Sequence, residues 1–168
     1  MLLPFKDERF CIDASVLIHL RNLPREAKFF EPIWAGLEGL VRDGRLMSPK
    51  EVRDEIYRQD DVVAKWCKGQ KALFAEVDPA QEASVRKIMS RFPAVVAEAQ
   101  RLMGPYGDPW VIALGESTGS VVLSRERSRN PKRDAEVFAI PDMCSALGVQ
   151  HVGFEEFLNR MGWAGSAQ

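Results

Sequence analysis

Asp13 is the first residue whose type and position could support chemistry. It directly follows Phe10, Cys11 and Ile12, an apolar run that favours an extended strand. In open α/β sheets, ligand sites lie just outside the carboxyl ends of the strands, so a carboxylate here is well placed for catalysis or metal binding. The alternative is that Asp13 caps a helix that begins at residue 14 or 15, since aspartate is a favoured N-cap. The two roles can coexist.

A second apolar run ends in the same way. Residues 120–123 form the clearest strand pattern in the chain and lead through Ser124 and Arg125 to Glu126. Asp108 follows a loop rich in turn-forming residues and precedes an apolar helix, where a helix cap is the alternative role. Glu55 borders the apolar side of a predicted helix over residues 50–59, where an ordinary surface role is the alternative.

These four carboxylates are expected to meet at one end of the sheet. In a parallel α/β sheet, strand ends and the helix starts that follow them lie at the same edge. Four neighbouring carboxylates would repel one another and raise each other's pKa values unless a cation shared their charge. Oxygen ligands without cysteine or histidine favour Mg²⁺ or Mn²⁺. Such a site suits hydrolysis of a phosphodiester bond.

A basic run surrounds Glu126 and could bind a polyanion. Residues 124–133 contain five cations and one acid, although the formal net charge of the chain is −1. We expect Arg125, Arg127 and Arg129 to contact the phosphate groups of such a polyanion. The alternative is a solvated loop whose charges only maintain solubility.

Length and composition predict one domain, covering residues 1–168. Cys11, Cys67 and Cys144 are widely spaced and share no ligand spacing with the two histidines, so neither a disulfide framework nor a zinc site is indicated. No run approaches the ~18 apolar residues that span a membrane, and the N-terminal residues become acidic too early for a signal peptide. We therefore expect a cytoplasmic protein.

The remaining pattern alternates between strands and helices, which indicates an α/β fold with a parallel sheet. Further strands are predicted near residues 45–47 and 149–152. Ser48 is expected to cap the helix that carries Glu55, with Pro49 at its first position. Helices are predicted at the following positions: residues 14–21, 33–41, 62–66, 79–92, 94–103, 140–147 and 154–161.

Five short motifs occur in order along nearly the whole chain. They are Ile12-Asp13-x-Ser15, Ser48-Pro49-x-x-Val52-x-x-Glu55, Gly107-Asp108-Pro109-x-Val111-Ile112-Ala113-Leu114, Val122-Leu123-Ser124-x-Glu126 and Ile140-Pro141-x-x-Cys144. In this order and spacing the sequence resembles the PIN-domain nuclease family, and within it a PIN-like branch related to the VapC toxins of toxin–antitoxin systems.

The resemblance implies a three-layer α/β/α PIN-like domain with a central parallel sheet. It also implies a Mg²⁺- or Mn²⁺-dependent endoribonuclease that acts as the toxin of a toxin–antitoxin module. RNA and a cognate antitoxin protein would be its partners, and a homodimer is compatible with the family. By position in the motifs, Asp13, Asp108 and Glu126 match metal ligands, and Glu55 matches a ligand or water activator. Ser15 and Ser124 match residues that orient a ligand or a water.

Two positions depart from the family pattern. Glu126 occupies a place where aspartate is frequent, so Asp142 is an alternative fourth acid. Gly107 replaces a small apolar residue, which we expect to be harmless. Two other functions stay open: a non-catalytic PIN fold that binds RNA or protein, and a housekeeping RNA-processing nuclease. An aspartyl-nucleophile phosphatase is disfavoured because Ser15 stands where its second acid is needed.

Overall fold

The computed structural model describes residues 3–164 and contains a five-stranded sheet. Within these residues, strands β1 to β5 span Phe10–Ile12, Leu46–Pro49, Phe74–Ala75, Val121–Ser124 and His151–Gly153. Helices α1 to α9 span Ala14–His19, Glu31–Arg42, Lys50–Tyr57, Val62–Gly69, Pro79–Arg91, Pro93–Leu102, Asp108–Thr118, Ile140–Leu147 and Phe154–Met161.

All neighbouring strands run parallel, in the order β3-β2-β1-β4-β5. The chain proceeds outward from β1 through β2 to β3, then crosses to the other side of β1 to form β4 and β5. The border between β1 and β4 is therefore the point where the direction of winding changes, the usual place for a ligand crevice in such sheets. Ile12 pairs with Leu123 there, so both strands end level with each other.

Helices cover both faces of the sheet. Phe10 meets Phe157 of α9, with 5.0 Å between ring centroids. The thiol of Cys11 donates to the carbonyl oxygen of Val111 in α7 at 3.3 Å. Because successive residues of a strand point to opposite faces, α7 and α9 lie on opposite sides of β1. This confirms the predicted α/β class with a central parallel sheet between helical layers.

Burial of the central strands on both faces explains why they are apolar. Every residue of β1 is fully buried, as expected for a central parallel strand covered by helices on both faces. The four strands predicted from sequence are all present. Strand β3 was missed because two residues, Phe74 and Ala75, carry too little pattern to distinguish a strand from a loop.

Ser48 does not cap α3, so that prediction is wrong. Strand β2 continues to Pro49, which occupies the N-cap position of α3 without a side-chain hydrogen bond. The buried hydroxyl of Ser48 instead donates to the carbonyl oxygen of Ile12 at 2.7 Å. That bond links the ends of β2 and β1, next to Asp13.

None of the helices within residues 3–164 is long and apolar enough to cross a membrane.

Candidate metal centre

Asp13 is held at the end of β1 with only one of its carboxylate oxygens satisfied. Its Oδ2 accepts a hydrogen bond from the backbone N–H of Ser15 at 3.0 Å and caps α1. Its Oδ1 is buried and has no hydrogen-bond partner among the described residues. The residue is 2% exposed. Asp13 is therefore a helix cap and also presents an unsatisfied buried oxygen, so the two roles coexist.

Asp108 and Glu126 join Asp13 in a compact group. One carboxylate oxygen from each of the three residues lies within 4.8 Å of the others. Asp108 is the first residue of α7, and Gly107 is its N-cap, so the alternative role of Asp108 as a cap is not observed. The loop after β4 carries Glu126, whose Oε2 accepts from the backbone N–H of Ile140 at 2.8 Å. We call Asp13, Asp108 and Glu126 the acidic centre.

Glu55 borders the acidic centre. It lies on α3 beside the buried residues Val52 and Ile56, as the helical pattern predicts. Its Oε1 accepts a hydrogen bond from the backbone N–H of Gly107, immediately before Asp108. Glu55 is not one of the three residues whose oxygens converge within 4.8 Å. It therefore fits better as a neighbouring proton carrier than as a fourth member of the same ligand set.

Burial raises the pKa values of all four carboxyls, and the charges of neighbouring acids add to the shift for Asp108, Glu126 and Glu55. Burial raises the pKa of Asp13, while the hydrogen bonds from Ser15 partly oppose the shift. Burial, followed by the charges of Asp13 and Glu126, raises the pKa of Asp108 well above its usual range. Burial also raises the pKa of Glu126, while the hydrogen bond from the backbone N–H of Ile140 partly opposes the shift. For Glu55, burial and the same neighbouring acids raise the pKa to about 7.

Two serines connect the acidic residues to the sheet. The hydroxyl of Ser15 accepts a hydrogen bond from the backbone N–H of Arg125 at 3.0 Å. The buried hydroxyl of Ser124 accepts from the backbone N–H of Glu126 at 3.3 Å and lies 2.8 Å from Nε2 of His151. Both serines thus orient backbone near the acids. His151 was interpreted from sequence only as a strand-end residue, and no local pattern indicates its contact with a serine 27 positions earlier.

Asp142 does not belong to the acidic centre. Its two oxygens accept hydrogen bonds from the hydroxyl of Ser128 and, at 2.8 Å, from the backbone N–H of Arg129. It therefore stabilises the loop that follows Glu126. Of the two candidates for the last acid, the structure brings Glu126 and not Asp142 to Asp13 and Asp108.

A cleft of about 400 Å³ opens beside the acidic centre, and the predicted RNA-binding arginines divide around it. Arg129 lines this cleft, where its guanidinium lies over the ring of Phe138, 4.3 Å from the centroid. Arg125 and Arg127 line a second depression of about 260 Å³. Glu126 lines both, so the two concave surfaces meet at the acidic centre.

The donor set fits a hard divalent cation. The acidic centre offers only carboxylate oxygens, including the unsatisfied buried Oδ1 of Asp13. Burial raises the pKa of Cys11, whose thiol donates to a backbone carbonyl, and raises the pKa of Cys144 to about 12. These thiols stay protonated and are poor ligands for a soft metal.

Tyr106 and Arg58 also line the cleft but were not predicted from sequence. Burial, together with the neighbouring charge of Asp108, raises the pKa of the Tyr106 hydroxyl, which therefore stays protonated beside the acidic centre. Its position two residues before Asp108 is the only signal that could have indicated it. Arg58 is the C-cap of α3, where a cation is common because it interacts favourably with the helix dipole. Its type and position therefore did not mark it as a binding residue in the sequence.

Comparison with known proteins places the chain in a family without supplying an activity. No curated protein matches the sequence. One family model, described as a domain of unknown function (DUF4411), matches residues 10–164 and so includes all four acids. The chain therefore belongs to the DUF4411 family.

Proposed function

We propose that this protein is an endoribonuclease that hydrolyses RNA phosphodiester bonds with Mg²⁺ or Mn²⁺. The observation that carries the proposal is the buried, unsatisfied Oδ1 of Asp13, which lies in a group of carboxylate oxygens within 4.8 Å of one another. Burying a charged carboxylate oxygen without a hydrogen-bond partner lowers the stability of the fold, and repulsion from two further carboxylates nearby lowers it more. A divalent cation offsets all three charges together.

The ligand chemistry favours cations that prefer oxygen, such as Mg²⁺ or Mn²⁺, over softer metals such as zinc or copper. Both prefer oxygen ligands, and carboxylates are their usual protein ligands. Asp13, Asp108 and Glu126 would hold the ion. When bound, such an ion supplies Lewis-acid activation of water and offsets negative charge on the phosphate.

Glu55 is suited to proton transfer in this reaction. In the metal-free protein the pKa of this carboxyl lies at about 7, and a cation at the acidic centre would lower it, so Glu55 would be ionised and able to accept a proton at neutral pH. As water attacks phosphorus, its proton would pass to Glu55, the bond from phosphorus to the leaving ribose oxygen would break, and that oxygen would take up a proton from solvent water. The N–H of Gly107 holds Glu55 in place, and Ser15 and Ser124 orient the backbone that carries the other acids.

The surroundings of the acidic centre are suited to a polyanionic substrate. Arg129 lines the cleft, and Arg125 and Arg127 line the depression that adjoins it at Glu126. Guanidinium groups bind phosphate through charge and directed N–H donors. RNA is the proposed substrate because of the five motifs that resemble PIN-domain nucleases.

The same resemblance supports a role as a cytoplasmic toxin neutralised by a cognate antitoxin. We expect expression in a bacterial host to arrest growth, and the Asp13→Asn variant at equal abundance to leave growth normal. A small reading frame next to the gene should restore growth when expressed together with it. Normal growth with abundant wild-type protein would contradict the toxin role without touching the chemistry.

Cleavage of a labelled single-stranded RNA tests the enzymatic activity directly. We expect cleavage with Mg²⁺ or Mn²⁺ and none in EDTA, with a loss of at least about a hundredfold in Asp13→Asn. Asparagine can still accept from the N–H of Ser15, so the cap of α1 and the fold should survive. Undiminished cleavage by a folded Asp13→Asn variant would overturn the proposal. Saturable RNA binding without metal-dependent cleavage would favour a non-catalytic binding module.

A further inference from the structure

Arg58 lies in the acidic cleft without a protein partner for its charge. It follows α3 directly and lines the same cleft as Glu55, Asp108 and Glu126. Within residues 3–164, its guanidinium makes no hydrogen bond and no ion pair. Arginine beside several carboxylates would normally pair with one of them, so an unpaired guanidinium here is available to a ligand.

Arg129 is the matching cation in this cleft. Its guanidinium stacks on Phe138 and forms no ion pair with a described residue. Glu98 lines the same cleft and could have paired with either arginine. It pairs instead with Arg101, with 2.9 Å between Oε2 of Glu98 and Nη2 of Arg101. The cleft therefore contains an acidic centre suited to a cation and two guanidinium groups that no described residue holds in an ion pair.

The Arg58 guanidinium lies against the backbone at Gly104. A Cβ atom at residue 104 would come 2.6 Å from Nη1 of Arg58, so an alanine there would displace this flexible end of the arginine side chain from its present position. The φ angle of Gly104 is not in the left-handed region, so an alanine there meets no backbone strain. The absence of a side chain at residue 104 thus leaves room for the guanidinium against the loop that leads to Asp108.

We propose that Arg58 binds a phosphate of the RNA strand, next to the phosphate that is cleaved, and that Gly104 leaves the space in which its guanidinium lies. This inference rests on the proposed nuclease function and adds a substrate-binding residue outside the basic run that contains Arg129. The strand would lie along the cleft with one phosphate at Arg58, another at Arg129 and the scissile phosphate at the acidic centre. Guanidinium suits this role because its fork of N–H donors matches two phosphate oxygens.

Binding of a short fluorescein-labelled single-stranded RNA, followed by fluorescence anisotropy across a range of salt concentrations, tests the proposal. The Asp13→Asn background prevents turnover during the measurement. Arg58→Ala should weaken binding about fivefold at ~0.1 M salt and lower the slope of log affinity against log salt by about 0.7, the value of one single-strand phosphate contact. Arg53→Ala is the matched control, since Arg53 lies on the same helix and pairs with Asp54 outside the cleft. It should change neither quantity.

A double-mutant cycle tests the role of Gly104. Gly104→Ala should weaken binding by less than Arg58→Ala, because the displaced guanidinium keeps its charge near the strand, and it should cause no further loss when Arg58 is already alanine. Additive losses, or an unchanged salt slope in Arg58→Ala, would overturn the proposal. Thermal unfolding of each variant should equal that of its parent, and the same Arg58 and Gly104 substitutions made in the wild-type chain should leave Mn²⁺ binding unchanged, which separates loss of a phosphate contact from loss of structure.

The outcomes distinguish this proposal from the proposed function. Metal-dependent cleavage, together with RNA binding that does not change in Arg58→Ala, would support the nuclease function and contradict the role of Arg58. RNA binding that depends on Arg58 without any cleavage by wild-type protein would support the phosphate contact and contradict the nuclease. Absence of both binding and cleavage would contradict both.

Discussion

The backbone N–H of Arg125 donates a hydrogen bond to the hydroxyl of Ser15, with 3.0 Å between nitrogen and oxygen. The bond joins the first turn of α1 to the loop that follows β4. Asp13 lies two residues before Ser15, and Glu126 lies one residue after Arg125. Two acids that are 113 positions apart in the chain are thereby held by one cross-link beside the border between β1 and β4.

Removing this link should loosen the acidic centre. Ser15→Ala leaves the N–H of Arg125 without its acceptor and should lower the free energy of unfolding by about 1 kcal/mol. It should also weaken Mn²⁺ binding several-fold, because the loop carrying Glu126 loses an anchor. Chemical denaturation and titration calorimetry measure the two effects. Ser145→Ala, on an exposed position of α8, is the control and should change neither the free energy of unfolding nor the Mn²⁺ affinity. A Mn²⁺ affinity in Ser15→Ala equal to that of the wild type would contradict the role of this hydrogen bond.

Glu126 and Asp142 should differ sharply in their effect on metal binding. Glu126→Gln removes one of the three charges of the acidic centre and should reduce Mn²⁺ affinity by at least tenfold, with a comparable loss of cleavage. Asp142→Asn changes a carboxylate that binds Ser128 and Arg129 instead, so Mn²⁺ affinity should change less than about twofold. Calorimetric titration of both variants checks this. A larger loss in Asp142→Asn would mean that the loop rearranges when metal binds.

The metal-free protein should lose stability as pH rises from about 4 to above 7. The pKa values of Asp13, Asp108 and Glu126 are raised in the folded state, and that of Glu55 is raised to about 7. The folded state therefore binds protons more tightly than the unfolded chain. Its stabilising contribution is complete below the unfolded pKa values near 4 and is lost as pH passes through the folded ones.

Thermal melts in EDTA at a series of pH values measure this loss, and saturating Mg²⁺ or Mn²⁺ should largely restore the melting temperature at pH 8. Glu55→Gln should show a shallower dependence on pH in EDTA. Burial lowers the pKa values of His19 and His151, which act in the opposite direction, so the comparison with Glu55→Gln is decisive: an identical pH dependence in EDTA for the two proteins would contradict the raised pKa of Glu55.

Gly107 should not tolerate a side chain, although a small apolar residue is frequent at this position of the PIN-like pattern. A Cβ there would come 2.7 Å from Cγ2 of Val52 and 3.3 Å from Oε1 of Glu55. Gly107→Ala should therefore destabilise the fold by about 1–3 kcal/mol and reduce cleavage by displacing Glu55. Gly69→Ala, where no atom lies within 4 Å of the added carbon, is the control and should be neutral or slightly stabilising. Unchanged stability in Gly107→Ala would contradict the close packing.

The sequence by itself determined the elements that carry the acids. Runs such as Phe10–Ile12 and Val121–Ser124 are apolar because both faces of a central parallel strand are buried, and that requirement is readable in a few consecutive residues. The positions of Asp13 and Glu126 after those strands, and of Glu55 beside an apolar helix face, follow from the same local patterns. So does the α/β class, because strands and helices alternate along the chain.

Only the tertiary structure decided which of these side chains meet. Glu126 rather than Asp142 reaches Asp13 because each carboxylate turns towards the N–H groups nearest to it, and those groups come from distant parts of the chain. The same holds for the hydroxyl of Ser48 on Ile12 and for Arg58 against Gly104. Tertiary packing also produces the unsatisfied oxygen of Asp13. The backbone of its own helix donates a hydrogen bond to Oδ2, whereas Oδ1 is buried by the surrounding elements without receiving one. Long-range packing therefore converts four separate acids into a candidate metal centre.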